Sequence, residues 1–249
     1  MRHALTFAAA LALTSAGLAV SASAQDATAA ITAAVADPMR PAADTARDAN
    51  RKPAQILAFA GVKPGDTVVE LMPGGGYFTR ILAKTVGPKG HVYGVVPTGF
   101  ANRPGAMDAL NALAAQYPNV TITATDLSSF KVPQPADVVW TSENYHDFHN
   151  GPTANIAGLN AAAFAALKPG GVYYVEDHAA AKGAGVTTTS TLHRIDPAAA
   201  ISEVEAAGFK LDGQSDLLAN PADPHDKAVF DPSIRGKTDK FALRFKKPG

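Results

Sequence analysis

The sequence predicts a doubly wound α/β domain, and three observations carry that prediction. The stretch VVELMPGGGYFT (Val68–Thr79) reads as strand, glycine turn and helix. Short β-branched runs and helical patterns then alternate to residue 218, as parallel sheets require. A last alternating run, Phe241, Leu243 and Phe245, supplies an edge strand. In the opening unit, Val68 and Val69 end a buried strand, and Glu70 sets a carboxylate at its carboxyl tip. Gly74, Gly75 and Gly76 permit a tight turn and close backbone approach to a ligand. Phe78, Ile81, Leu82 and Val86 recur at helical spacing until Gly87-Pro88 stops the helix. In such folds ligands sit at the carboxyl ends of the strands.

Composition narrows the function classes. The chain has 249 residues, 47% of them hydrophobic, which suits one α/β domain with a real core. Lys and Arg number 22 and so do Asp and Glu, so the basic excess of a general nucleic-acid binder is missing. There is no cysteine, which excludes disulfides, thiolate metal sites and a cysteine nucleophile.

Residues 1–24 read as a secretory leader: Arg2 and His3, an apolar run from Ala4 to Val20, and an A-x-A site at Ala22–Ala24 before Gln25-Asp26. The expected location is therefore exported and periplasmic, with no membrane attachment after cleavage. Residues 25–52 form an Ala-rich arm or linker, and residues 53–249 the domain. The string RDANRKP (Arg47–Pro53) places three cations before a helix, as a solvated turn or as an anion contact over the cleft.

Pro53 opens a short helix to Ala60, and Lys63-Pro64-Gly65-Asp66 turns into the first strand. Gly90–Val96 is the second strand and Pro97–Pro104 a loop. A helix follows with Met107, Leu110 and Ala114 on one face. Val120 and Ile122 belong to the third strand, and Asp137–Trp140 to the fourth. Pro152 opens a helix carrying Ile156, Leu159, Ala163 and Leu167, and Leu167–Gly171 turns into the fifth strand, Val172–Val175. Pro197 starts a helix with Ile201 and Val204 inward, and Phe209–Leu218 is a strand. The connection 219–237 is long and rich in Pro and Asp, a pattern that marks functional or mobile loops.

The densest polar cluster follows the fourth strand and includes Glu143, Tyr145, His146, Asp147 and His149. Glu176-Asp177-His178 ends the fifth strand at the same sheet edge, and His193 can join if the intervening segment folds over. His146 is the expected general base with Asp147 orienting it, Tyr145 beside them, His178 as the substitute and His193 as a further candidate. The same histidines, with His149, offer a divalent-metal alternative, although their spacing matches no compact metal motif.

The acid, short glycine turn and helix are similar to motif I of class I S-adenosyl-L-methionine (SAM)-dependent methyltransferases, not to the G-x-G-x-x-G of dinucleotide enzymes. With KPGD, LKPGG, PGGGY (Pro73–Tyr77), YHD (Tyr145–Asp147), HRID (His193–Asp196) and RGKTDKFALRFKKP (Arg235–Pro248), the chain resembles exported bacterial class I methyltransferase-like proteins. The resemblance implies a Rossmann-like, seven-stranded, mostly parallel sheet with an antiparallel last strand. It implies SAM as cofactor, held by Glu70, Pro73, Gly74, Gly75, Gly76, Tyr77, Asp126, Leu127 and Glu143, and an unspecified small-molecule methyl acceptor. Met72 stands where the family has its first glycine, and Val96 where it has the acid that binds the ribose hydroxyls. A non-catalytic binding module on this scaffold and a metal-dependent hydrolase stay open as alternatives.

Overall fold

A computed structural model describes residues 14–152 and 154–249, with side chains from Ala24 onward. The expected leader lies largely outside the described residues. No described helix is long and apolar enough to cross a membrane. The first described helix, α1 (Thr14–Val35), runs through the Ala22–Ala24 triplet and buries Ile31 and Ala34 in the core. Two single-turn helices follow, α2 (Ala42–Thr45) and α3 (Asp48–Arg51), and then α4 (Pro53–Ala60), which starts at Pro53 and ends at left-handed Gly61. Residues 25–52 thus pack against the domain through α1, which lies along α4 and the glycine-turn helix.

The alternating units then unfold in order. Strand β1 (Thr67–Leu71) leads through the glycine turn into α5 (Tyr77–Val86), then β2 (His91–Pro97). The expected loop after β2 contains one helical turn, α6 (Thr98–Ala101), before α7 (Asp108–Gln116) and β3 (Val120–Thr125). Strand β4 (Ala136–Ser142), helix α8 (Ile156–Ala166) and strand β5 (Leu167–His178) come next, followed by α9 (Pro197–Ala206), β6 (Lys210–Ser215) and β7 (Lys240–Lys246). Helix α8 starts at Ile156 rather than Pro152, because the Asn155 side chain caps it by accepting the Gly158 N–H. The LKPGG stretch, expected as a turn, lies inside β5, where the pairing register shifts and Gly170 takes φ 76°.

The seven strands form one sheet in the order β3-β2-β1-β4-β5-β7-β6. All pairs are parallel except the two made by β7. Chain order reverses between β1 and β4, which places the ligand crevice beyond the carboxyl ends of these two strands. Cores fill both faces. One packs Ile56, Leu57, Ile81 and Leu82 against Trp140 and Tyr174, whose rings stack at 4.2 Å. The other packs Leu159, Ala163, Val204 and Phe209 against Val69, Val139 and Val175.

Candidate active site

The glycine turn keeps its geometry despite the departure at Met72. Met72 adopts φ 51°, the left-handed conformation a glycine would take without strain, at a cost of about 1–2 kcal/mol. Its side chain packs against the core on the face of the sheet covered by α8 and α9. Gly76 is required by its φ of 80°, and the Leu113 side chain packs where a Cβ would sit. At Gly74 and Gly75 a Cβ would meet nothing within 4 Å, so the turn's backbone faces open space. Pro73 closes the other side, packed over Gly94 of β2.

The arm is strapped across this turn by charge. Arg80 donates to the Gly75 carbonyl at 2.9 Å and pairs with Asp44 at 3.0 Å. Tyr77 Oη donates to Asp48 at 2.6 Å, and Arg40 grips the same carboxylate with both terminal nitrogens. Arg51 reaches furthest. Its guanidinium lies over the rings of Tyr77 and Phe78, 4.4 and 4.8 Å from their centres, and meets Glu143 at 2.7 Å. Of the two readings of RDANRKP, the structure therefore places Arg51 in the cleft, although its Nε is buried with no acceptor.

Two carboxylates near that guanidinium are shifted in opposite directions. Glu70 is buried and accepts a hydrogen bond from Thr79 Oγ1 at 2.6 Å, with no cation in contact among the described residues. Burial pushes its pKa up to about 7, and Thr79, Arg51 and Arg80 offset this only in part. Burial also works against charge on Glu143, but Lys240 at 2.8 Å and Arg51 hold its carboxyl well below the usual range. Glu143 sits at φ 59°, just past the tip of β4. Beside it, Asn144 donates to the Leu71 and Met72 carbonyls and so pins the β4 loop to the tip of β1.

The histidines converge one step along the edge. His146 Nδ1 lies 2.8 Å from Asp177 Oδ1, and its Nε2 lies 3.2 Å from His193 Nδ1. The acid that orients His146 is therefore Asp177, fully buried at the end of β5, and not Asp147. Asp147 stands on the other side, 3.3 Å from His146 Nε2 and 3.4 Å from His193 Nδ1. Burial opposes charge on His146, but Asp177 and Asp147 outweigh it and raise its pKa to about 10. Both ring nitrogens of His146 are engaged in this arrangement, Nδ1 by Asp177 and Nε2 by His193. His178 differs: burial lowers its pKa to about 4, Nδ1 lies 2.8 Å from Thr238 Oγ1, and Nε2 has no hydrogen-bond partner among the described residues.

Four predicted residues sit apart from this centre. Tyr145 is fully buried between α8 and α9, where its hydroxyl meets Asn160 and Glu203, so it belongs to the core rather than the cleft. Asp126 caps a turn by accepting from Ser128 N and Oγ, and Leu127 packs into the core beside it. His149 pairs with Glu203, away from the other histidines. A cavity of about 300 Å³ lies against β2 and β3, lined by Tyr93, Thr123 and Lys131, and holds none of the predicted site residues. Asp177 and Asn144 lie in the polar stretches that the sequence marks but have no role assigned there, and Lys240 has none either. The signal for Asp177 is its place beside His178 at the end of β5.

A desolvated Glu70 with no cation in contact, an Arg51 Nε without an acceptor and open space over Gly74 and Gly75 suit a ligand with a cationic centre and a carboxylate. The ribose acid is missing: Val96 is buried, and no Asp or Glu occurs from His91 to Met107.

The strand order, the antiparallel β7 and the glycine turn at the switch point define a Rossmann-like fold, that of class I SAM-dependent methyltransferases. Comparisons with known proteins agree. A SAM-dependent methyltransferase from Aquifex aeolicus superposes with a TM-score of 0.56 at 16% identity, covering 78% of this chain and 88% of that one. The glycopeptide N-methyltransferase MtfA, solved with SAM, gives 0.54 at 15% identity, covering 79% and 87%. A curated protein-L-isoaspartate O-methyltransferase of Ignicoccus hospitalis is 39% identical over 75 residues, which is 29% of this chain and 33% of that protein. The match thus spans about a third of that relative. No protein-family model matches the chain.

Proposed function

We propose that the protein is a SAM-dependent methyltransferase acting on a small-molecule acceptor. The observation that carries this reading is Glu70: a carboxyl group buried at the tip of β1, with no cation in contact, next to a glycine turn whose backbone is open. The cofactor would supply a methyl group on a sulfonium centre. Glu70 would face its positive charge, Arg51 would bind its carboxylate, and the Gly74–Gly75 backbone would pass beneath it. His178 Nε2, which has no hydrogen-bond partner among the described residues, is the atom that would take a proton from the acceptor.

Calorimetry on the purified chain tests this reading. SAM and S-adenosylhomocysteine should each bind with one site per chain. Gly75→Ala should weaken binding while changing stability by no more than about 0.5 kcal/mol, since its φ is not positive and its surroundings are open. Absence of heat with both ligands would turn the reading to a binding module for another ligand.

Export belongs to the same proposal. It rests on the leader pattern of residues 1–24 and is checked by the intact mass of the chain recovered from an export-competent bacterial host. A mature start at Gln25 is expected, and a chain that keeps Met1 would overturn it.

A further inference from the structure

We infer that His146, Asp147 and His193 form a binding site for one divalent first-row transition ion, with zinc as the best match. His146 Nε2, His193 Nδ1 and Asp147 Oδ1 form a nearly equilateral triangle with edges of 3.2, 3.3 and 3.4 Å. Nitrogen and oxygen ligands about 2.0–2.1 Å from a tetrahedral zinc stand about 3.3 Å apart, so the three atoms already occupy one face of that tetrahedron. Two imidazoles and one carboxylate are also a donor set such ions prefer.

The surroundings support the same assignment. The remaining nitrogen of His146 faces Asp177 at 2.8 Å, the carboxylate–histidine pairing that orients a metal-bound imidazole. Asp177 is itself fixed, since its oxygens accept the backbone N–H groups of His146 at 2.6 Å and His178 at 2.7 Å. His193 is held at φ 55°, a strained conformation for a residue with a side chain. The buried Arg194–Asp223 pair beside it keeps that segment in place. The His193 and Asp147 side chains are 31% and 37% exposed, so the fourth position opens to the cleft.

The site stands whether or not SAM binds. Under the methyl-transfer reading, on which this last step rests, an acceptor bearing an oxygen donor would occupy the open position.

The test uses the whole chain, treated with chelator and titrated with Zn²⁺ by calorimetry, with Co²⁺ absorption as the second readout. One equivalent per chain is expected, with the visible bands of a low-coordinate Co²⁺ ion. His193→Ala and Asp147→Asn lie on separate, partly exposed segments and should leave the circular dichroism spectrum unchanged. Each should weaken binding more than Asp177→Asn, which is expected to weaken it about 10–100-fold. His225→Ala removes an imidazole paired with Asp239 outside the cluster and should leave stoichiometry and affinity unchanged. Absence of a stoichiometric site, or equal affinity in His193→Ala and the unaltered protein, would overturn the assignment and leave the contact as an ordinary histidine–histidine hydrogen bond.

Discussion

Glu70→Gln is expected to stabilise the free protein at pH 8 by up to about 3 kcal/mol while weakening SAM about 10–100-fold. The stability arm follows from linkage. The folded-state pKa of Glu70 is raised from 4.5 to about 7 by burial. A carboxyl group raised in this way contributes stability that is fully present below pH 4.5 and is lost as pH rises through about 7. At about 1.4 kcal/mol per pKa unit, the loss by pH 8 is about 3 kcal/mol. Glutamine keeps an acceptor for Thr79 Oγ1 and carries no charge to desolvate, so the variant should lose this pH dependence. The binding arm follows from the charge itself, since a sulfonium or ammonium group facing Glu70 would draw its pKa down again. Urea unfolding at pH 5 and pH 8, beside calorimetry with SAM, reads both arms. A variant as pH-sensitive as the parent would show that Glu70 does not carry the strain. Unchanged SAM affinity would remove it from the site. Gain of stability with loss of binding is the signature of a residue kept for function.

Arg194→Met is expected to cost about 3–5 kcal/mol in equilibrium unfolding. Arg194 and Asp223 are both fully buried, joined through both terminal nitrogens at 2.8 and 3.0 Å. The guanidinium also donates to the Lys227 and Ala179 carbonyls. Its removal leaves the Asp223 carboxylate buried without its cation, supported only by the backbone N–H groups of His225 and Asp239. The double change Arg194→Met with Asp223→Leu should recover much of the loss, because no uncompensated charge remains. A single variant within 1 kcal/mol of the parent would contradict the burial argument. Hydrogen exchange should rise at Val229, whose N–H bonds Leu192, because Arg194 ties the 219–237 connection to the segment carrying His193.

That connection shows where pattern reading runs out. From its Pro and Asp content, residues 219–237 read as a functional or mobile loop. In the fold, Asp223 anchors it to Arg194, and its own Val229 is buried. The HRID string was legible as a motif, but each residue has a separate task that depends on distant partners. His193 meets His146, Arg194 meets Asp223, Ile195 bridges to Ala179, and Asp196 caps α9. Likewise Asp147, adjacent in sequence to His146, was the expected orienting acid, yet Asp177 fills that role. Strands β4 and β5 pair with Ser142 opposite Glu176, which carries Asp177 to the start of the His146 turn.

By itself the sequence determined the architecture: periodicity, glycine turns and Pro starts are local signals, and they were enough to mark strands, helices and the tip of β1 where a ligand would sit. Only the tertiary structure decided which charges meet. It brought Arg51 from the arm onto Glu143, left Glu70 without a contacting cation, turned Tyr145 into the core, and gathered His146, Asp147 and His193 into one triangle. The physical reason is range. Backbone preference acts over a few neighbouring residues, whereas ion pairs, desolvation and ligand geometry depend on distances set by the whole packed sheet.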